Sequence, residues 1–370
     1  MTTRLECDVL VIGGGPAGLA TAIAARQQGL YVVMADAAQP PIDKACGEGI
    51  LPAGVRHLRE LGVDFASAPH AELAGIRFIT AEGECGAEFS GQKGIAMSRM
   101  ALHRALAARA EQCGIDLHWG MRVRCEEGAS ILLGETPVRA RWVIVAEGGR
   151  SQMRAHFRFG DGKVRRERVG YRTHYRVRPW SKSVEVYWAN CGQMYVTPVA
   201  ENELGVAFLS NDPHLRFEAA LQMFPALRDR LCDVPQADRT RGGMTTWRYV
   251  PRVQHGTTAL VGDASGSVDA ITGEGLSLAF AQALCIAQCI REGDLRPYEA
   301  AHREIMRLPN VMSRVLLWMG DSEALRARTM RAFTREPELF AHLLGVHSGA
   351  LRGTRTAIPA LRLGWELLTA

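Results

Sequence analysis

The chain has 370 residues, 47% of them hydrophobic and 22% charged, with a formal net charge of +5. That length supports a large core and more than one structural unit, and the composition excludes a disordered or low-complexity protein. The positive charge is mostly Arg, with Lys only at Lys44, Lys93, Lys163 and Lys182, and it forms no basic stripe with interleaved aromatics, so no nucleic acid partner is expected.

Nine Cys are scattered along the chain with no Cys-x-x-Cys pair. An odd, dispersed set argues against a secreted disulfide framework and for a reducing cytoplasm. The first residues lead directly into a strand, so no signal peptide is expected. The longest apolar stretch, Leu276 to Ile290, falls short of the roughly 20 residues needed to cross a bilayer, so no transmembrane segment is expected. The eleven His show no metal-ligand spacing.

In chain order, residues 7–12 read as a short buried strand, Pro16 to Gln28 as an Ala-rich helix and residues 30–36 as a second strand, a βαβ opening. Residues 50–61 look helical. Residues 99–113 form an amphipathic helix ending at Gly114, and residues 142–146 another buried strand. From about 165 to 210 the pattern alternates, as in Val184 to Trp188 and Gly205 to Leu209, which predicts an antiparallel sheet. Residues 213–232 read as one helix, residues 258–263 as a buried strand, Gly275 to Arg291 as a long helix, and residues from 296 onward as largely helical.

The turn after the first strand, Gly13-Gly14-Gly15-Pro16-Ala17-Gly18, fits G-x-G-x-x-G. Gly13 permits the tight turn, Gly15 a close backbone approach to a pyrophosphate, and Gly18 close packing of helix on strand. Pro16 and Ala17 open the helix, whose N-terminal N–H groups attract phosphate. Asp36 ends the next strand, 23 residues after Gly13. A carboxylate there accepts hydrogen bonds from both hydroxyls of an adenosine ribose and disfavours a 2′-phosphate in the same pocket.

Two later segments turn this dinucleotide site into a flavin site by resemblance. Val261-Gly-Asp-Ala-Ser-Gly through Gly273-Glu-Gly-Leu276 is similar to the second FAD fingerprint of glutathione-reductase-type flavoproteins. The resemblance implies that Asp263 bonds the ribityl chain, and that Gly273, Gly275 and Leu276 start a helix facing the flavin pyrimidine. Ala146-Glu-Gly-Gly-Arg-Ser-Gln-Met-Arg154 resembles the Ala-Asp-Gly-x-x-Ser-x-x-Arg segment of flavin hydroxylases, with Glu147 where that pattern has Asp. It implies FAD contacts for Ala146 and Gly148. Arg99 matches an Arg that touches the FAD, and the backbone at Val123 is implied beside the adenine.

Asp43-Lys-Ala-Cys-Gly-Glu-Gly-Ile resembles the Cys-Gly-x-Gly segment of the geranylgeranyl reductase family, in the same superfamily as the flavin monooxygenases related to para-hydroxybenzoate hydroxylase. The resemblance implies that Cys46 to Gly49 lie against the isoalloxazine ring and that Ala45, Cys46 and Gly47 bind the cofactor. Cys46 would pack on or tune the flavin, and Glu48 would orient substrate or relay a proton. The reductases' Tyr-x-Trp-x-Phe-Pro segment is only partly kept in Gly192-Gln-Met-Tyr-Val-Thr-Pro198. Tyr171, His174, Tyr187, Trp188, Tyr195 and Trp247 are candidate pocket aromatics.

The expected fold is α/β, a glutathione-reductase-type Rossmann FAD domain with an inserted antiparallel substrate sheet and a helical C-terminal tail. The FAD domain takes residues 1–75, 95–160 and 255–295, the substrate domain 76–94 and 161–254, and the tail 296–370. The expected activity is a geranylgeranyl-reductase-like reduction of a hydrophobic unsaturated or aromatic compound, with NAD(P)H as a transient reductant. The alternative is a monooxygenase using a C4a-hydroperoxyflavin, and more remotely a non-catalytic flavin sensor. The chain is expected as a monomer or homodimer. The Arg-rich amphipathic tail over 296–370, which Ala357 to Leu368 ends, is expected as a helical cap over the substrate side, with a peripheral membrane contact as the alternative suited to a lipid-like substrate.

Overall fold

The computed structural model describes residues 4–126 and 131–350. Leu5–Ile12 is an inner strand of the first sheet, and its residues Val9 to Ile12 are at most 3% exposed. A strand covered on both faces reads as a continuous apolar run. It pairs in parallel with Val32–Asp36 on one side and Thr136–Val145 on the other. The parallel pairing continues outward to Asp116–Trp119 and to Thr258–Leu260. The helix Pro16–Gln27 begins on Pro16, where a missing N–H costs nothing. Ser98 caps Arg99–Gln112 by accepting the Ala101 N–H at 3.2 Å.

Parallel pairing has a positional consequence. Leu5–Ile12, Thr136–Val145 and Thr258–Leu260 all end at the same edge of the sheet. The segments that follow them, far apart in sequence, must therefore meet there.

A second sheet of seven strands runs in the order Arg241–Tyr249, Lys163–Tyr175, Glu203–Ser210, Gly192–Ala200, Ser183–Ala189, Gly75–Thr80, Gly83–Glu88. Its pairings are antiparallel except that of Ser183–Ala189 with Gly75–Thr80, which is parallel. The insert expected to be antiparallel is therefore mixed, because its last hairpin comes from an earlier crossover of the chain. A small third sheet joins Gly49–Ile50, Gly94–Ala96 and Ala71–Leu73.

The single helix expected over 213–232 is two short helices, Phe217–Leu221 and Pro225–Leu231. Pro225 has no N–H for the preceding turn, and it forces Phe224 out of the helical region to φ −122° and ψ 74°. The C-terminal helices are Arg296–Asp321, Glu323–Arg335 and Pro337–His347. They close over the second and third sheets. Phe333 and Phe340 share a core with Leu51, Leu73 and Phe89, and Leu316 and Met319 share one with Val186 and Trp188. The segment Ala357 to Leu368 lies outside the described residues. Among the described residues no helix is long and apolar enough to cross a membrane.

His302 ties the first of these helices to the loop after Thr258–Leu260. Its Nε2 lies 3.0 Å from Ser265 Oγ, whose own hydroxyl donates to the Gly262 carbonyl at 2.8 Å. The serine is thus left to accept, and His302 donates as a neutral ring. Burial pushes its pKa down from 6.5 to about 4. The unfolded chain takes up a proton near the ordinary value and the folded chain does not. The stabilisation is complete above the unfolded pKa and is lost as pH falls toward the folded one, by up to about 3 kcal/mol. Urea midpoints measured from pH 7 down to pH 4.5 should fall steeply for the native chain and less steeply for His302→Gln. Equal slopes would place the acid sensitivity elsewhere.

Candidate active site

The three segments that parallel pairing brings together line a single cavity of about 1420 Å³. Small-molecule pockets run from roughly 300 to 1,000 Å³, so this one has room for a large cofactor and a second ligand. Its polar end is walled by Gly15, Pro16 and Ala17, by Asp36, by Ala146 to Arg150, by Gly262 and Asp263, and by Gly273, Gly275 and Leu276.

The glycine turn is built for close approach. Gly13 has φ +113°, and a Cβ there would lie 2.6 Å from the Ala146 carbonyl oxygen. A Cβ on Gly18 would lie 1.8 Å from the Gly13 carbonyl oxygen. Neither glycine lines the cavity; both act by letting strand, turn and helix pack. Gly15 faces open space. Asp36 holds the turn from the next strand, with Oδ2 accepting the Gly14 N–H at 2.6 Å and Oδ1 the Ala38 N–H at 2.7 Å. His103, one turn into its helix from Arg99, reaches the Gly14 carbonyl at 2.9 Å, and burial keeps its ring neutral. The sequence reading missed His103, although its i+4 spacing from Arg99 puts both on one helix face.

The later segments are pinned to each other by Arg154. It donates to the Gly149 carbonyl at 2.7 Å and the Ala264 carbonyl at 3.4 Å. Glu147, which stands where the related pattern has Asp, folds back on its own loop. Its Oε2 accepts from Ser151 Oγ at 2.7 Å and the Met153 N–H at 3.0 Å. Gln282 accepts the Gly262 N–H at 2.8 Å. Asp263 carries a partner the sequence did not suggest, with Lys44 Nζ 3.0 Å from its Oδ2. The Lys44 ammonium holds the Asp263 carboxyl below the usual carboxylate range. Lys44 therefore faces Asp263, another residue lining the cavity.

The segment Ala45 to Gly49 also lines the cavity. Burial pushes the Cys46 thiol up, against the pull of nearby Arg99, so it stays protonated at neutral pH. Glu48 sits in the left-handed region at φ +61°, a strained conformation for a side chain of this size, and is 2% exposed. Its surroundings over-determine that conformation. Oε1 accepts the Arg99 N–H at 2.8 Å, and Oε2 lies 2.6 Å from His174 Nε2. His174 Nδ1 lies 2.9 Å from Asp238 Oδ2. Burial works against a charge on His174, but the hydrogen bond and charge of Glu48 outweigh it and raise its pKa. Arg172, 2% exposed, reaches Asp43 at 2.6 Å, Asp238 at 2.5 Å and Glu48 at 3.7 Å. Thr197 Oγ1 donates to the Gly47 carbonyl at 3.1 Å. The second sheet thus fixes this segment through ionic and polar contacts.

Beyond Cys46 the cavity turns apolar and runs between the second sheet and the C-terminal helices, past Ile76, Phe78, Val184, Leu316 and Phe340. Of the candidate aromatics, Tyr171, Trp188 and Tyr195 line it. His174 is spent on Glu48, Tyr187 donates to Glu185 at 2.9 Å, and Trp247 donates to Asn310 at 2.9 Å. Val123 is 5% exposed and stands off the cavity wall.

These residues fit an FAD. The turn leaves Gly15 open beside the N-terminus of Pro16–Gln27, where a pyrophosphate is favoured. The buried Nε of Arg99, a residue lining the cavity, has no hydrogen-bond partner. The N-terminus of Gly275–Arg291 supplies N–H groups at the far end.

Comparison with known proteins agrees with that geometry. The sequence profile of the FAD binding domain family matches residues 6–292. The menaquinone reductase of Mycobacterium tuberculosis is 32% identical over 164 residues, which cover 41% of this chain and 40% of the relative. That match therefore spans about two fifths of the mycobacterial protein's length. The digeranylgeranylglycerophospholipid reductase of Methanocella arvoryzae is 24% identical over 341 residues, covering 82% of this chain and 84% of the relative. Among solved structures, the p-nitrophenol 4-monooxygenase of Pseudomonas putida superposes with a TM-score of 0.74 at 16% identity, covering 99% of both chains, a likeness of fold.

Proposed function

Because the chain belongs to the FAD binding domain family, we propose that it is an FAD-dependent oxidoreductase, a reductase of the geranylgeranyl reductase type. It would use NAD(P)H and saturate a carbon–carbon double bond in a long hydrophobic molecule. The observation that carries this reading is the apolar arm. A polar cofactor cradle opens, at the Cys46 segment, into a deep apolar passage between sheet and helices. Such a passage suits an extended lipid chain better than a small polar ring.

When bound, FAD supplies the relay of two electrons from the nicotinamide to the substrate. In balance, a hydride from NAD(P)H ends on one carbon of the double bond and a solvent-derived proton on the other. The chain's own part is placement. Gly15 to Ala17 and Asp36 would hold the adenosine and pyrophosphate end on the turn that Gly13 and Gly18 permit, with Arg99 and Asp263 further in. Val123 would support the adenine side from behind the wall. Ala45, Cys46 and Gly47 would form the backbone wall beside the ring, and Ala146, Gly148, Gly273, Gly275 and Leu276 its other walls. Glu48 would keep that wall in place through His174 and Arg172. The arm excludes water from the reacting carbons. The same hydrophobic substrate class makes a peripheral membrane contact part of this reading.

A monooxygenase acting on an aromatic compound is the second reading, favoured by the fold likeness to p-nitrophenol 4-monooxygenase. One experiment separates the two. The purified protein is incubated with FAD, NADPH and an isoprenoid in detergent, and products are weighed by mass spectrometry with and without air. A gain of two hydrogens that persists without oxygen is expected. A gain of one oxygen that requires air would replace the reductase by the monooxygenase. In the same assay Cys46→Ala should lower turnover with FAD still bound, and unchanged kinetics would leave that thiol as packing.

A further inference from the structure

The apolar arm reaches the surface along one helix, and the chemistry of that opening is unusual. Leu308, Val311 and Trp318 on Arg296–Asp321 all line the cavity, yet they are 39%, 48% and 65% exposed. Met244, on the edge strand Arg241–Tyr249, also lines the cavity and is 40% exposed. Positions 308, 311 and 318 follow helical spacing and share one face. Arg307 and Arg314 are exposed and interleave with them on that face. Arg307 pairs with exposed Glu304, while Arg314 has no ion pair among the described residues. The rim of an apolar passage is thus a stripe of large apolar side chains, tipped by a Trp and flanked by guanidinium groups.

A soluble protein with a small polar substrate has no use for such a rim, which keeps apolar surface in water at the entrance of its own site. The pattern is that of a helix lying in the boundary of a bilayer. Apolar side chains enter the acyl region, Trp sits at the headgroup level, and Arg reaches lipid phosphates. We propose that this face docks on an anionic lipid bilayer, so that the substrate passes from the membrane into the apolar arm without crossing water. The proposal rests on the hydrophobic substrate of the proposed function, but the binding itself needs no turnover.

The test is flotation of the FAD-loaded full chain with vesicles of phosphatidylcholine, with and without phosphatidylglycerol. Binding is expected with phosphatidylglycerol and should weaken as salt is raised. Trp318→Ala should reduce it by about tenfold, and Trp318→Ala with Arg314→Gln further. Both positions are exposed, so FAD absorbance and melting temperature should stay at native values. No binding to either vesicle, or equal binding by all variants, overturns the proposal. A native dimer that Trp318→Ala converts to a monomer in sedimentation would overturn it as well, assigning the face to a second copy of the chain. Turnover of the detergent-dispersed isoprenoid separates the two ideas. Vesicle binding without turnover keeps the docking and removes the reductase, and turnover without vesicle binding does the reverse.

Discussion

Arg172→Met is expected to destabilise the protein by about 3–5 kcal/mol, the range for removing one partner from a buried charge cluster. Arg172 is the only cation that touches Asp43, Asp238 and Glu48 together among the described residues. Removing it leaves each of the three with another partner. Asp43 keeps Arg241 at 3.1 Å, and Glu48 and Asp238 keep His174 at 2.6 and 2.9 Å. That redundancy is why the expected loss stays within the range for a single pair. Urea unfolding should show a lower midpoint with an unchanged slope. Arg172→Lys should fall between, because a single ammonium cannot serve three carboxylates as a planar fork does. A loss under about 1 kcal/mol would mean that the acids take up protons instead of remaining unpaired, and the variant's stability would then depend on pH through the carboxylate range.

The cluster also shows which parts of the site were legible in the sequence. Gly13, Gly15, Gly18 and Asp36 could be placed together because they follow short, ordered spacings, and parallel strands place such spacings predictably. The cavity also gathers Ala146, Gly148, Asp263, Gly273 and Leu276 from two distant segments, since each segment follows a strand of the same parallel sheet. Arg172 and His174 were out of reach as partners of Glu48. They stand 124 and 126 residues after it, on a strand of a different sheet, and nothing local sets which strand faces which loop. Lys44 shows the same limit, because its partner Asp263 lies 219 residues away. The tail was legible as helix and as a cap over the substrate side, but not in which of its residues line the cavity. Amphipathic spacing announces a buried face without naming what buries it, so the arm along Leu316 and Phe340 appears only in three dimensions. Pro225 was a local signal that the apolar pattern around it obscured.

Asp36→Ala should weaken FAD binding by about 10- to 100-fold, the equivalent of losing one or two hydrogen bonds to a charged group. Two roles are removed at once. The carboxylate props the glycine turn through the Gly14 and Ala38 N–H groups, and it lines the cavity where the ribose is expected. Asp36→Asn separates them. Its amide oxygen keeps one acceptor for the turn, while the charge and the second acceptor are lost. If the turn carries most of the effect, Asn should recover most of the affinity; if the ribose contact does, Asn should resemble Ala. Fluorescence titration of the FAD-free protein gives the dissociation constants directly. The His302–Ser265 bond lies in the neighbouring loop and does not involve Asp36, so the acid dependence of folding should be the same in all three proteins. An Asp36→Ala chain that binds FAD as tightly as the native one would sink the placement of the adenosine at this strand end. The FAD would then have to be anchored by Arg99, Asp263 and the N-terminus of Gly275–Arg291 alone.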